Sequence, residues 1–132
     1  MKYIPQAAPF VMIDELVSSD DTQTICRFTI TTDNIFIDSK GCFAEAGLVE
    51  NMAQTAAAGT GFKAAAGSEA PPVGFIGQIK NLEIFRLPVV GDTIETTITQ
   101  QNQVMNALMV LGTIRINQDL IARAEYKIFL QP

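Results

Sequence analysis

The sequence predicts an α+β domain in which one long, buried helix is wrapped by a strongly curved antiparallel sheet. Three observations predict it. Residues 43–66 form a stretch that is half Ala and Gly and has no broad polar face, which marks a helix enclosed on all sides. Segments before and after it alternate apolar and polar residues at strand spacing. The links between the later segments are short turn clusters, which join antiparallel strands.

Taken in order, residues 4–10 carry Pro5 and Pro9 and form an extended or turned lead-in. Residues 10–17 read as a first strand, and the Ser-Ser-Asp-Asp-Thr cluster at 18–22 as a turn. Residues 23–32 resume strand character with Thr24, Cys26, Phe28 and Ile30 on one face, so Cys26 is a small buried apolar group. A loop over 33–42 leads into the helix. In the helix, Gly47, Gly59 and Gly61 each cost about 1 kcal/mol relative to Ala, a composition useful where other backbone must come close. Glu45, Asn51 and Lys63 are the expected exposed positions. Glu50 and Gln54 stand four residues apart on one face. A carboxylate in an Ala-lined setting is a candidate for chemistry; an exposed strip or a structural acceptor is the competing reading.

After the helix, residues 67–74 are a breaker-rich connection, and strands follow from Phe75 to the end. Residues 93–99 alternate, 108–116 are apolar on one face, and 120–130 point Arg123, Glu125 and Lys127 away from the core. Turns fall at 87–92, 103–106 and 117–118. Strand, strand, long buried helix and four further strands make the hotdog arrangement. Its edge strand must be covered, and pairing with a second copy predicts a homodimer.

Residues 1–132 are expected to form this single domain. The formal net charge of -5 without a basic run argues against nucleic acid or an anionic membrane as partner. The N-terminal ten residues lack the pattern of a signal peptide. Glu50, Asn51, Gln54 and Lys63 interrupt the helix too often for a membrane span, so a cytoplasmic protein is expected. Cys26 and Cys42 make neither a disulfide framework nor a metal motif. The chain has no histidine, which removes ordinary zinc sites and any Ser-His or Cys-His unit. No cofactor and no metal are predicted.

Three motifs in order resemble the hotdog-fold β-hydroxyacyl-acyl-carrier-protein dehydratases over nearly the whole chain. Pro5-Gln6-Ala7-Ala8-Pro9-Phe10 with Asp14 resembles that family's Pro-His-Arg-x-Pro-Phe opening with its following Asp. Leu48-Val49-Glu50-Asn51-Met52-Ala53-Gln54 is similar to its central-helix motif. Residues 85–92, Phe-Arg-Leu-Pro-Val-Val-Gly-Asp, resemble its Phe-Arg-x-Pro-Val-x-Pro-Gly-Asp turn, less one residue. The family's Gly-His-Phe-Pro-Gly segment, which carries its catalytic base, is replaced by a shorter run at 37–43 without histidine. Glu50-x-Met52-Ala53-Gln54-Thr55 and Gly74-Phe75-Ile76 are similar to the histidine-lacking, aryl polyene-associated branch.

The resemblance implies an acyl thioester on acyl carrier protein or coenzyme A as ligand, with Glu50 and Gln54 as the catalytic pair. It also implies an acyl tunnel, expected along Phe43, Met52, Phe75 and Ile79. Removing a C2 proton and delivering one to the departing hydroxyl engages two proton-transfer groups, each worth about 10²–10⁴-fold, and only one has a counterpart here. Four readings follow. Glu50 works alone as acid and base, with help from Gln54, Asp38 or Lys40. The chain is a binding subunit that pairs with a histidine-bearing relative in a heterodimer. It is an acyl thioesterase using Glu50, against which the retained turn at 86–92 speaks. Or it is a structural dimer with no tunnel beside Glu50. Cys42 at the start of the helix reads as a packing thiol rather than a nucleophile, and Lys40, Lys80 and Arg86 are the candidates for a patch facing an acidic carrier.

Overall fold

The structure, a computed structural model, describes residues 2–131. Helix α1 (Glu45–Ala66) packs on a six-stranded antiparallel sheet of β1 (Glu15–Ser19), β2 (Gln23–Thr29), β3 (Val73–Ile84), β4 (Thr93–Val104), β5 (Ala107–Ile116) and β6 (Asp119–Gln131). Their spatial order is β1-β2-β4-β5-β6-β3. The two strands before the helix therefore sit at one end of the sheet. The first strand after it closes the other end.

Alternation decides which residues face the helix. Thr24, Cys26 and Phe28 on β2, and Ile94, Thr96 and Ile98 on β4, are all buried, and their registers pair Cys26 with Thr96 and Phe28 with Ile94. The main core joins Met12, Phe28, Phe43, Leu48, Met52, Ile94, Ile114 and Tyr126; a second cluster holds Ile4, Ile13, Cys26 and Ala58. Complete burial of a side chain such as Phe43 or Met52 contributes about 1.5–3 kcal/mol. Small or apolar residues occur all round α1. The buried ones, among them Leu48, Asn51, Met52, Thr55 and Ala58, share one half of it, while Val49, Glu50, Ala53, Ala56 and Thr60 on the other half are only half-buried. The helix is therefore not enclosed on all sides, contrary to the sequence reading. Two glycines admit close neighbours: a Cβ on Gly61 would strike the backbone carbonyl of Tyr3, and one on Gly59 the Thr24 hydroxyl.

The boundaries differ from the sequence reading in ways that have physical causes. The first strand begins at Glu15 rather than at residue 10, because the backbone at 10–12 is held by side chains of α1 instead of by a strand. Ser18 and Ser19 belong to β1, and the turn contracts onto Asp20, whose Oδ1 accepts from the Thr22 and Gln23 amides at 2.8 and 2.9 Å. Those bonds hold the Asp20 carboxyl below its usual range. Strand β3 starts at Val73, taking in the end of the expected connection. Asn51, expected at the surface, is buried. Two aspartates of the recognised motifs serve the frame: Asp14 Oδ2 accepts from the Thr29 amide at 2.8 Å, and Asp92 Oδ2 from the Val89 amide at 2.9 Å beside Gly91, whose φ is +96°.

Candidate functional site

Glu50 and Gln54 lie one turn apart on α1, and the structure joins them directly. Gln54 Nε2 donates to Glu50 Oε1 at 2.9 Å and to the Phe10 carbonyl at 2.7 Å, while Gln54 Oε1 accepts from the Met12 amide at 2.6 Å. Gln54 is fully buried, so all its polar atoms need such partners. Asn51 continues the clamp: its Nδ2 donates to the Met12 carbonyl at 2.7 Å and its Oδ1 accepts from the Thr96 hydroxyl. Behind them Thr55 donates to the Asn51 carbonyl at 2.8 Å. The result is a rigid polar seam that fixes the rotamers beside Glu50.

Glu50 stands on the wall of a cavity of about 700 Å³. Helix residues Ala53, Ala57, Thr60 and Gly61 continue that wall, and Ile76 and Ile128 line it from the sheet. From residue 50 to residue 65 the helix rises about 22 Å, so the cavity is long and mostly apolar with a carboxylate on it. Segment 2–6 forms another wall. Tyr126 lies close behind: burial, and secondly the negative charge of Glu50, push its phenol well above the ordinary range. It stays protonated and donates to the Val49 carbonyl at 2.8 Å, pinning the helix next to Glu50.

The other residues expected at the site are placed differently. Phe43 and Met52 are fully buried in the main core and do not line the cavity. Phe75 pairs with Phe129, whereas its neighbour Ile76 pairs with Ile128 on the cavity side. The bulge at Gly77 shifts the register, and Ile79 falls opposite Tyr126, exposed and off the cavity wall. The sequence reading thus missed Ile76, Ile128, Tyr126, Asn51 and Gln6. The alternation of β6 was enough to find Ile128; nothing in the sequence announces the bulge.

Asp38 does not line the cavity on which Glu50 stands. Its Oδ1 accepts from the Cys42 and Lys40 amides at 3.0 and 2.9 Å, which holds its carboxyl below the usual range and commits it to closing the loop at Gly41. The Phe43 and Ala44 amides are taken by the Pro88 and Phe36 carbonyls at 2.8 and 2.9 Å, so neither is free to polarise a thioester. Cys42 is half-buried. Lys40, Lys80 and Arg86 are exposed, and Lys80 lies 3.9 Å from Glu125. Among the described residues no group of acidic, Cys or His side chains is placed to hold a metal. No helix there is long and apolar enough to cross a membrane.

A central helix that sets Glu50 on an apolar cavity and packs on this sheet defines a hotdog-fold protein. The family model described as ApeP-like, ApeP dehydratase, matches residues 1–132, and the chain belongs to that family. Among solved structures, the dehydratase heterocomplex ApeI:P from Xenorhabdus doucetiae is similar with a TM-score of 0.90 at 17% identity, covering 98% of this chain and 89% of that chain. The smu.793 protein from Streptococcus mutans UA159 bound to acetyl CoA gives 0.74 at 13% identity, with 98% and 96% covered. A hypothetical thioesterase protein with coenzyme A from Streptococcus pneumoniae TIGR4 gives 0.72 at 10% identity, with 89% and 84% covered. At these identities the likeness is one of fold. No curated sequence relative matches the chain.

Proposed function

We propose that the chain is the carboxylate-bearing subunit of a 3-hydroxyacyl thioester dehydratase, paired with a histidine-bearing relative. The observation that carries this reading is the Glu50 carboxylate on the wall of a long apolar cavity, its Oε1 held at 2.9 Å by Gln54 Nε2. The acyl chain occupies the cavity along Ala53, Ala57 and Gly61. Dehydration removes the C2 proton and the C3 hydroxyl and forms the C2=C3 double bond, with water as the second product. Glu50 in its acid form gives a proton to the departing hydroxyl, and the relative's histidine takes the C2 proton; passing that proton back to Glu50 resets the pair.

The missing base supports a partner, and β3 supports where it docks. β3 is a twelve-residue strand at the open edge of the sheet, and Val73, Phe75, Ile76 and Ile79 on it are all exposed apolar side chains. A long apolar edge calls for another strand. The ligand is carried on acyl carrier protein or coenzyme A, the setting is the cytoplasm, and the pathway is of the aryl polyene type. A homodimer across the same edge is the alternative pairing.

The test incubates the chain, a histidine-bearing relative and their mixture with a short 3-hydroxyacyl thioester on carrier protein, and follows loss of water by mass spectrometry. The expected result is dehydration enhanced in the mixture and reduced about 10²-fold or more by Glu50→Gln in this chain. Full turnover by this chain alone would make it self-sufficient. Release of free acid would make it a thioesterase.

A further inference from the structure

Tyr126 brings a hydroxyl to the backbone of α1 at the residue before Glu50. Its side chain stands on the same face of β6 as Ala124 and Ile128, and only 2% of it is exposed. The hydroxyl donates to the Val49 carbonyl at 2.8 Å. Val49 lies inside α1, where a carbonyl already accepts from the amide four residues on. The helix therefore does not depend on this second bond. A phenylalanine at 126 would fill the same space without burying a hydroxyl. A buried hydroxyl costs stability unless it is bonded, and the bond returns only about 0.5–1.5 kcal/mol. The fold gains little from this oxygen.

Its position gives it a different use. The Val49 carbonyl and the Glu50 amide are two ends of one planar peptide unit. A bond that fixes the carbonyl fixes that plane, and with it the point from which the Glu50 side chain departs. At the far end of the same side chain, Gln54 Nε2 holds Oε1 at 2.9 Å. Glu50 is thus held twice, through its backbone by the sheet and through its carboxylate by the helix. A second strand reaches the next residue: the Thr96 hydroxyl of β4 donates to Asn51 Oδ1. The negative charge of Glu50 is felt at the Tyr126 phenol, which agrees with their nearness. Tyr126 does not line the cavity, so its effect on a bound ligand passes through Glu50.

We propose that Tyr126 is a positioning residue: through the Val49 carbonyl its hydroxyl sets the peptide plane from which Glu50 reaches the cavity, and so the distance from the carboxylate to the reacting atoms. This rests on the dehydratase reading above. An error of about 1 Å in such a distance costs on the order of 10²-fold in rate. Losing one of the two restraints on Glu50 lowers kcat by about five- to twentyfold and leaves KM unchanged, because the cavity wall is intact.

The experiment removes the oxygen and keeps the ring. Wild type, Tyr126→Phe, Glu50→Gln and the double variant are each mixed with the histidine-bearing relative, and kcat and KM are measured for dehydration of a short 3-hydroxyacyl thioester on carrier protein. Ile30→Val, at a buried residue bonded to the turn at 91–92, supplies a comparable loss of stability, and thermal melting accompanies every protein. The expected result is the five- to twentyfold fall in kcat for Tyr126→Phe at unchanged KM, with wild-type kcat for Ile30→Val. In the Glu50→Gln background, Tyr126→Phe should make no further difference, since the group it positions is gone. A wild-type kcat for Tyr126→Phe overturns the assignment, as does a change in KM alone. So does an equal fold-loss in both Glu50 backgrounds, or a loss matched by Ile30→Val. A Tyr126→Phe protein that does not fold overturns it too, since the hydroxyl is then structural. If the wild-type mixture dehydrates nothing, or Glu50→Gln is as fast as wild type, the dehydratase reading falls and this inference with it.

Discussion

Gln54 ties Glu50 to the strand-like segment that crosses the helix. Its single amide nitrogen donates both to Glu50 Oε1 and to the Phe10 carbonyl, and its oxygen accepts from the Met12 amide. The orientation of the carboxylate on the cavity wall is therefore coupled to the packing of residues 10–12. A change that loosens that segment reaches Glu50 within two hydrogen bonds.

Gln54→Leu is expected to lower stability by about 2–4 kcal/mol, because the Met12 amide and Phe10 carbonyl are left unpaired in a buried place. It also releases Glu50, so activity in the reconstituted mixture should fall with it. Urea denaturation measures the first effect. A loss below about 0.5 kcal/mol would mean that water or the backbone replaces the amide easily, and the clamp would then not be what holds the segment.

Asn51→Asp separates the two bonds of its neighbour. The variant keeps an acceptor for the Thr96 hydroxyl but loses the donor to the Met12 carbonyl and sets a carboxylate against that oxygen. The expected cost is about 3 kcal/mol near neutral pH, and it should shrink in acid, where a protonated carboxyl can donate. A pH-independent loss in urea melts would contradict this account.

The order of elements, the hotdog wrap and the nearness of Glu50 to Gln54 were legible because each follows from periodicity or spacing. Alternation on β2 and β4 gave the buried faces, and the four-residue interval gave one helical face. Asn51 was misread because composition cannot say that a backbone segment without a strand partner will need side-chain partners from the helix. The cavity wall was misread at β3 for a different reason. One bulge at Gly77, where a Cβ would meet the Phe129 ring, reverses the parity from which Phe75 and Ile79 were assigned to one tunnel.

Gly61→Ala sets two effects against each other. Alanine gains about 1 kcal/mol of helix propensity, but its Cβ would press on the Tyr3 carbonyl, which is backbone and cannot swing away. A net loss of about 1–3 kcal/mol is expected, with a weaker loss for Gly59→Ala, whose nearest obstacle is the side chain of Thr24. Equilibrium denaturation of both variants decides it. A stabilised Gly61→Ala protein would show that segment 2–6 yields freely, and the cavity wall it forms would not be fixed.

Cys26 predicts a window of alkaline instability. Burial pushes its thiol up to about 11, against a partly opposing hydrogen bond with Thr55. The folded state therefore holds a proton that the unfolded chain gives up near its ordinary value of 9.0. The stabilisation is complete below that pH and is lost progressively as pH rises to about 11, amounting to roughly 2–3 kcal/mol. The difference in stability between wild type and Cys26→Ala should narrow by that amount between pH 8.5 and 11. A constant difference would show that the thiol titrates normally. In native protein at pH 8, Cys42 should react with an alkylating reagent and Cys26 should not.

The β3 edge carries the last prediction. At the opposite end of the sheet, β1 has five residues, short enough to leave little edge exposed, whereas β3 has twelve and presents Val73 and Phe75 at more than half exposure. Edge strands that stay unpaired are kept short or charged, so the long apolar one is the edge built for a partner. Phe75→Lys should abolish association with the histidine-bearing relative, read as a change of mass in light scattering, while circular dichroism of the single chain stays unchanged because Phe75 contributes little to the core. Glu15→Lys on β1 is the matched control and should leave assembly intact. Association that survives Phe75→Lys and fails in the β1 variant would move the interface to the other end of the sheet, and with it the side of the cavity on which a partner's histidine must arrive.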